Sequence, residues 1–229
     1  MRERPILCNA QMVRAILSGT KTQFRRVVKN CVPALTPSGR VIYYALENRR
    51  RVTPSCPYGQ PGDRLWVRET FRLASYDDCA CYDPCSCKAG TPIYRASSDH
   101  GEEKWKPSIF MPRWASRITL EVTAVRVERL QDISEGEAKA EGIVETDWGM
   151  NAPAGTMSID GGKTYHPFKE RAIPWRFHSG DATGPGSCLG SARSAFANLW
   201  ESINGAGSWD ANPLVWVVEF KRIEQEAEQ

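Results

Sequence analysis

Two periodicities of apolar residues divide much of this 229-residue chain into helices and strands. Apolar side chains recur every three to four residues in an amphipathic helix and every second residue in a half-buried strand. The helical spacing occurs over Ala10–Leu17 and Ala192–Ile203, and the strand spacing over Arg64–Phe71, Arg117–Leu130 and Leu214–Ile223. Several strands with few helices predict a domain of the α+β class.

Local signals refine two of these elements. The alternation within Arg117–Leu130 changes phase around Ala124, which predicts either a β-bulge or two strands end to end. Ser134 and Glu137 have the spacing of a capping box, and Gly142 follows directly after Glu141, so Ser134–Glu141 is predicted to be a short helix. Glu141 then occupies the last turn, where the helix dipole disfavours a carboxylate.

The remaining segments lack clear periodicity and interrupt the predicted domain. Residues 30–63 are rich in Pro, Gly and Arg and are predicted to be mostly loop, and 146–190 carry eight Gly and four Pro. Residues 75–92 are rich in cysteine, and a short strand is expected at Thr91–Ala96. We expect one domain over 1–229, a small β-barrel with short flanking helices and loop insertions at about 30–58, 75–92 and 146–190.

Composition excludes several classes of protein. Apolar residues make up 41% and charged residues 25%, as in ordinary globular proteins. No run of about eighteen apolar residues occurs and the first residues lack the apolar stretch of a signal peptide, so we expect a cytoplasmic protein without a membrane partner. The sequence also lacks a glycine-rich phosphate loop, a nucleophile elbow and a His-Glu-x-x-His motif.

The charge is unevenly distributed along the chain. The net charge is +3, but residues 1–51 hold eleven Lys and Arg against Glu3 and Glu47, a local charge of +9. A basic segment could attract RNA, DNA or nucleotide phosphate, and it could equally be a solvated surface.

Four cysteines in the segment CACYDPCSC form a candidate metal site, namely Cys79, Cys81, Cys85 and Cys87. Four thiolates can hold a structural Zn²⁺ in tetrahedral geometry, although zinc ribbons usually space their cysteines as Cys-x2-Cys. A disulfide-bonded knuckle and free thiols are the alternatives, and no organic cofactor is expected. The other cysteines are dispersed, and the histidines at 100, 166 and 178 are expected to be exposed in loops.

Several segments resemble the ASCH superfamily, whose members have a PUA-like β-barrel. Residues 19–26, GTKTQFRR, are similar to the family's G-x-K-T-x-T-x-R signature, and residues 61–71, PGDRLWVRETF, to its G-D-x-L-x-V strand. Residues 111–118, 118–143 and 202–223 continue the resemblance, in particular to ASCH-domain proteins of phages and prophages. The resemblance covers roughly the chain without the three insertions.

This resemblance implies binding of RNA or of modified nucleosides. One bacterial branch of the family is an amidohydrolase of acetylated cytidine, whose triad is a lysine and a threonine of the signature and a glutamate after the central strands. Lys21 and Glu141 match the lysine and glutamate positions, and Phe24 replaces the threonine. We therefore expect Lys21 and Glu141 to lie in contact on one concave surface.

Other residues extend the candidate site. Thr22 is the hydroxyl left near Lys21, but in an extended chain it points away from that side chain. Phe24 could stack on a base, although core packing is the simpler expectation. Cations and aromatic rings suit phosphates and bases, and Glu69 could hold Lys21 or Arg25 or accept from a cytosine amino group. The candidate ligand-binding residues are Phe24, Arg25, Trp66, Arg68, Glu69, Arg113 and Trp114.

The sequence leaves three functions open. The first is a module that binds RNA or a modified nucleoside or nucleotide in a basic pocket. The second is an amidohydrolase of an acylated base, with Lys21 as base and Glu141 as its partner. The third is a phage structural or assembly protein, which the short chain without extended arms disfavours.

Overall fold

The structure is a computed structural model. It describes residues 1–29, 55–74, 90–98, 104–146, 176–180 and 188–223, and the backbone of strands at 31–35, 41–47, 50–52, 156–158 and 165–167. The helices are α1 (Ala10–Leu17), α2 (Glu135–Ala140) and α3 (Ala192–Asn204). The strands are β1 (Glu3–Leu7), β2 (Gln23–Val27), β3 (Cys31–Leu35), β4 (Val41–Glu47), β5 (Arg50–Val52), β6 (Arg64–Arg68), β7 (Phe71–Leu73), β8 (Pro92–Tyr94), β9 (Thr119–Arg129), β10 (Val144–Glu145), β11 (Thr156–Ser158), β12 (Tyr165–Pro167), β13 (Phe177–His178) and β14 (Leu214–Ile223).

A five-stranded mixed sheet forms the centre of the fold, in the order β1-β6-β9-β14-β2. The β1–β6 pair is parallel, and the other neighbours are antiparallel. The α+β class is therefore confirmed. Among the described residues this sheet is open, and the smaller sheets β3-β4-β5, β7-β8, β10-β13 and β11-β12 do not close it into a barrel.

Both faces of the central sheet are covered, which explains the uninterrupted apolar run in β14. Trp216, Val218 and Phe220 of β14 pack in a cluster with Val13 and Ile16 of α1. Val215 and Val217 face the other way, into a cluster with α2 and α3 that includes Ala138, Phe196 and Trp200. Alternate side chains of a strand point to opposite faces, so a strand covered on both sides must be apolar at nearly every position. The described residues contain no helix long and apolar enough to cross a membrane.

The phase change within β9 is a β-bulge. Ala124 pairs with Glu219 and Val122 pairs with Phe220, so the exposed Thr123 is an extra residue on β9. The strand continues through the bulge from Thr119 to Arg129, and of the two predicted alternatives the bulge is confirmed.

Helix caps fix the start of α2 and connect α2 to α3. The predicted capping box is confirmed: the Glu137 amide donates to Ser134 Oγ at 3.2 Å and the Ser134 amide to Glu137 Oε2 at 2.9 Å. Glu135 of the same helix accepts from the first amides of α3, at 2.7 Å from Ala192 and 3.3 Å from Arg193. A carboxylate at a helix N-terminus satisfies unpaired amides and matches the helix dipole, so α2 sets the position of α3.

Three expectations about secondary structure were incomplete. Residues 30–63 contain a structure that was not predicted, because β3, β4 and β5 form an antiparallel sheet there. β1 was not predicted, since it is short and contains Pro5, which an edge strand tolerates. The segment 146–190 contains the strands β11, β12 and β13, which were not predicted.

Candidate functional site

The ends of α1 and α2 meet at the base of the site. Lys21 forms an isolated β-bridge with Glu141, and the Thr22 amide donates to the carbonyl of Ala140 at 2.8 Å. Gly142 permits this approach: its φ is +99°, and an added Cβ would lie 3.3 Å from the Ala15 Cβ and 3.4 Å from the Lys21 Cβ. Two segments about 120 residues apart in sequence are thus held against each other through backbone contacts.

The expected contact between Lys21 and Glu141 is confirmed. Lys21 Nζ donates to Glu141 Oε2 at 2.6 Å and to the Glu141 carbonyl oxygen at 2.8 Å. Lys21 is 4% exposed and Glu141 6% exposed, so this is a buried ion pair. Two of the three ammonium hydrogens are used by Glu141, which leaves a third for another acceptor.

Arg25 joins the pair to a network of carboxylates. Its fully buried guanidinium lies 2.5 Å from Glu128, 3.5 Å from Glu137 and 3.3 Å from Glu141 Oε1. Arg126 pairs with Glu128 at 3.0 Å and also contacts Glu137 and Glu219. Because every carboxylate in the network faces a guanidinium or an ammonium group, the buried charges compensate one another.

Burial dominates the pKa values around Lys21. Burial lowers the pKa of the Lys21 ammonium below the usual value of a lysine, because desolvation outweighs the charge and hydrogen bond of Glu141, which raise this pKa. Burial raises the pKa of the neighbouring Cys8 thiol to about 12. The site therefore favours a lysine that releases its proton more readily and a cysteine that remains a thiol at neutral pH.

A cavity of about 390 Å³ lies beside this network. Lys21, Arg25 and Glu141 line it together with Cys8 and Arg26. Its apolar wall is one face of α3, formed by Phe196, Leu199, Trp200 and Ile203. The volume is within the usual range of small-molecule sites, and the mixture of apolar wall and few polar groups is typical of them.

Sequence reasoning missed several residues of the cavity. Leu7, Val27 and Ile203 are between 41% and 49% exposed and lie at the cavity, where they are among the exposed large apolar side chains. Arg26 and Cys8 also line the cavity, and the sequence assigned no role to either residue. The exposure of Ile203 on an otherwise buried face of α3 marks the opening of the cavity. This exposure is visible only in the structure and not in the sequence.

Phe24 is not among the residues that line the cavity, contrary to the expectation that it stacks on a base. It is fully buried and stacks on Phe220 at 4.6 Å between ring centroids. The ring lies beneath two cations, 4.9 Å from Lys21 Nζ and 5.4 Å from Arg26 Cζ. Phe24 is thus a core residue that supports the cavity from below, as the simpler expectation held.

Thr22 and Glu69 also differ from their predicted roles. Thr22 is exposed and does not line the cavity, so the expected opposite orientation of Thr22 and Lys21 is confirmed and a catalytic role for its hydroxyl is not supported. Glu69 is buried but pairs with Arg117 through two contacts of 2.9 Å, instead of with Lys21 or Arg25. Glu69 is not among the residues that line the cavity, although the next residue, Thr70, is.

The remaining predicted ligand residues, Trp66, Arg68, Arg113 and Trp114, do not line the cavity. Arg68 donates to the carbonyl oxygens of Met111, at 3.1 Å, and Ile109, and its guanidinium lies 5.3 Å from the Trp66 ring. Arg113 forms two contacts with Glu3, at 3.0 and 3.3 Å. The side chains of Trp66, Arg68 and Arg113 thus stabilise the segment around residue 111. Trp114 is 65% exposed and remains available for a ligand.

The predicted metal residues Cys79, Cys81, Cys85 and Cys87 lie outside the described residues. Within the described part, no group of three or more His, Cys, Asp or Glu is placed to hold a metal ion. His178 is buried, contrary to expectation, because its ring bonds to Thr146 Oγ1 at 2.8 Å and to the Gly180 amide at 2.9 Å.

Comparison with known proteins gave no matching family model, curated protein or solved structure.

Proposed function

We propose that this protein binds a nucleoside, or one nucleotide of an RNA, in the cavity beside Lys21, Arg25 and Glu141. The observation that carries the proposal is the buried Lys21–Glu141 pair at the edge of a cavity of about 390 Å³ with an apolar wall. A nucleobase has flat apolar faces and a polar edge, which match an apolar wall opposite hydrogen-bonding groups. The resemblance to the ASCH superfamily pairs the same two positions and carries with it the expectation of a PUA-like barrel.

The polar groups of the cavity suit such a ligand. Lys21 retains one ammonium hydrogen after its two bonds to Glu141, and a base carbonyl or ring nitrogen could accept it. Arg26 lines the cavity and is only partly buried, so its guanidinium can reach a phosphate or a ribose at the opening.

One observation favours hydrolysis of an acylated nucleoside as a second function. The lowered pKa of Lys21 makes its neutral amine accessible, and this amine could take a proton from a water that attacks an acyl carbonyl. The C–N bond would then break as the proton passes to the leaving exocyclic amine, which releases a carboxylic acid and the nucleoside. We rank binding first, because Thr22 is exposed and Phe24 supplies no hydroxyl.

Titration calorimetry with cytidine, N4-acetylcytidine, uridine and CMP tests the proposal. At least one of these should bind, and Lys21→Met and Ile203→Trp should each weaken binding by about tenfold or more, the first by removing a donor and the second by filling the cavity opening. Ile203 is 49% exposed, so its substitution leaves the buried network intact. Lys139→Met removes an exposed lysine paired with Glu145 and is the matched control that should bind normally.

Two outcomes decide between the alternatives. Release of acetate from N4-acetylcytidine, measured by chromatography and lost in Lys21→Met, would establish the hydrolase instead of the binding module. Absence of binding by all four compounds, or binding that survives both cavity variants, would overturn the proposal.

A further inference from the structure

A second cavity, separate from the one beside Lys21, carries exposed aromatic rings. This aromatic cleft has a volume of about 730 Å³ and is lined by Phe71, Leu73, Lys104, Trp105, Lys106, Pro107, Phe110, Pro112 and Trp114. Phe110 is 69% exposed and Trp114 65% exposed. They are the two aromatic members of the exposed large apolar side chains in the described part of the chain, and neither is needed to fill a core.

The segment that presents these rings is rigidly anchored. The Lys106 amide donates to the Phe71 carbonyl at 2.8 Å, and the Phe71 amide donates back to the Lys106 carbonyl at 3.2 Å. Between the two rings, Met111 is fully buried against Phe71 and Ala115. A segment fixed at both sides of its exposed rings presents them with little loss of conformational entropy on binding.

The described residues that line the aromatic cleft carry a positive charge. Lys104 and Lys106 line it and are exposed, and neither forms an ion pair with a described residue. No carboxylate is among the described residues that line the cleft. Aromatic rings beside ammonium groups that no described carboxylate neutralises match a ligand with alternating flat bases and phosphates, which is a single-stranded nucleic acid.

The aromatic cleft and the cavity beside Lys21 share one segment of chain. Ser108 and Phe110 belong to the same turn of 3-10 helix, Ser108–Phe110. Ser108 lines the cavity, whereas Phe110 and the preceding Pro107 line the cleft. A strand with one nucleotide in the cavity would therefore reach the cleft by crossing this turn.

We infer that the aromatic cleft binds the single-stranded nucleic acid that flanks the nucleotide in the cavity, with bases on Phe110 and Trp114 and phosphates at Lys104 and Lys106. This inference rests on the proposed function for the identity of the nucleotide. It adds that the ligand of this protein is a polynucleotide strand and that a free nucleoside occupies only part of the binding surface.

Fluorescence anisotropy with a labelled 12-nucleotide single-stranded RNA, its DNA counterpart and the RNA duplex tests the inference. Single strands should bind, and a duplex, whose bases are already stacked, should bind more weakly. Trp114→Ala and Phe110→Ala should each weaken binding by roughly 5- to 160-fold, the range of one stacked base. Trp114→Phe keeps a ring and should restore most of the affinity. Comparison of the RNA with the DNA shows which sugar the surface prefers.

The lysines are tested through the dependence on salt. Each phosphate contact to a single strand adds about 0.7 to the slope of log affinity against log salt. Lys104→Gln combined with Lys106→Gln should therefore reduce the slope by about 1.4. Lys221→Gln, which removes an exposed lysine paired with Glu121, should leave the slope unchanged.

The outcomes separate this inference from the proposed function. If nucleosides bind in calorimetry but the single strands do not bind, the inference is overturned and the nucleoside site stands. The same holds if the single strands bind to Trp114→Ala and Phe110→Ala as tightly as to the wild type. If nucleosides fail while strands bind through the two rings, the proposed function fails and the cleft stands. Dimers in sedimentation that are lost in Trp114→Ala would assign the cleft to a second copy of the chain and overturn the inference.

Discussion

Substitution of Glu141 by Gln tests whether Lys21 is a buried cation held by one carboxylate. Gln keeps the shape of the side chain and removes its charge. Lys21 Nζ would retain the Glu141-position carbonyl at 2.8 Å but lose the carboxylate at 2.6 Å, which is its ion-pair partner among the described residues. Glu128 and Glu137 cannot replace it, because they are engaged by Arg25 and Arg126.

The expected loss follows from two independent arguments. Removal of one partner of a buried ion pair costs about 3–5 kcal/mol. Alternatively, Lys21 can release its proton in the folded variant; at pH 7 this costs about 4.6 kcal/mol, since an ordinary lysine has a pKa of about 10.4 and each unit is worth about 1.36 kcal/mol. The two values agree, and the second sets an upper limit on the loss at pH 7.

The pH dependence gives the sharper test. In the variant the folded state has a neutral Lys21 and the unfolded state a charged one, so the unfolded state binds one more proton and stability rises with pH. The cost of neutralising Lys21 falls to about 1.9 kcal/mol at pH 9. Because the pKa of Lys21 is also lowered in the wild type, the stability of the wild type rises with pH as well. The difference in unfolding free energy between variant and wild type therefore narrows by less than this change in the cost.

Urea unfolding monitored by tryptophan fluorescence at pH 7 and pH 9 measures both effects. Glu145→Gln disrupts the exposed pairs of Glu145 with Lys139 and Arg176 and should leave the unfolding midpoint unchanged. Lys21→Met combined with Glu141→Gln should recover most of the loss, because no unpaired charge remains buried. A loss below about 1 kcal/mol at pH 7 that is equal at pH 9 would refute the buried pair.

Two further predictions concern the floor and the edge of the cavity. The raised pKa of Cys8, about 12 against 9.0 for an ordinary thiol, stabilises the folded state below pH 9 and is lost as the pH rises towards 12. Wild type should therefore lose about 1.4 kcal/mol relative to Cys8→Ala between pH 8 and pH 10 in urea unfolding, and parallel profiles would contradict this. Phe24→Thr should lower the free energy of unfolding by about 3–5 kcal/mol, since it removes a fully buried ring that stacks on Phe220. Phe24→Leu, which keeps an apolar side chain, should lose less, and equal stability of Phe24→Thr and wild type would contradict the core role.

Local signals predicted several elements because the forces that form them are local. The α1 bounds, the β14 bounds and the capping box of α2 match the structure, since helix periodicity, strand alternation and cap spacing are contained in a few neighbouring residues. The bulge in β9 was visible as a change of phase. The contact between Lys21 and Glu141 was expected from the family resemblance and from the unfavourable position of a carboxylate at a helix end.

Partner choice over long distances could not be predicted in the same way. Glu69 pairs with Arg117 because β9 lies beside β6, whereas Arg25 is on β2 at the far edge of the sheet. That strand order is not contained in the sequence around Glu69. The apolar wall of the cavity was missed for a related reason: the periodicity of α3 indicates an apolar face, but not that one end of this face borders open space.

The location of charge in the structure changes what the basic segment of residues 1–51 can do. Lys21 and Arg25 are two of the eleven cations counted there, and both are buried and paired with carboxylates. They cannot act as a diffuse basic surface, and their role is to fix hydrogen-bond donors at the cavity. Attraction of a nucleic acid would then depend on cations at the openings, which are Arg26 at the cavity and Lys104 and Lys106 in the aromatic cleft. Two of these three cations lie outside residues 1–51, so the net charge of a sequence segment does not locate the binding surface. The salt dependence of binding, measured on variants of these side chains, locates it instead.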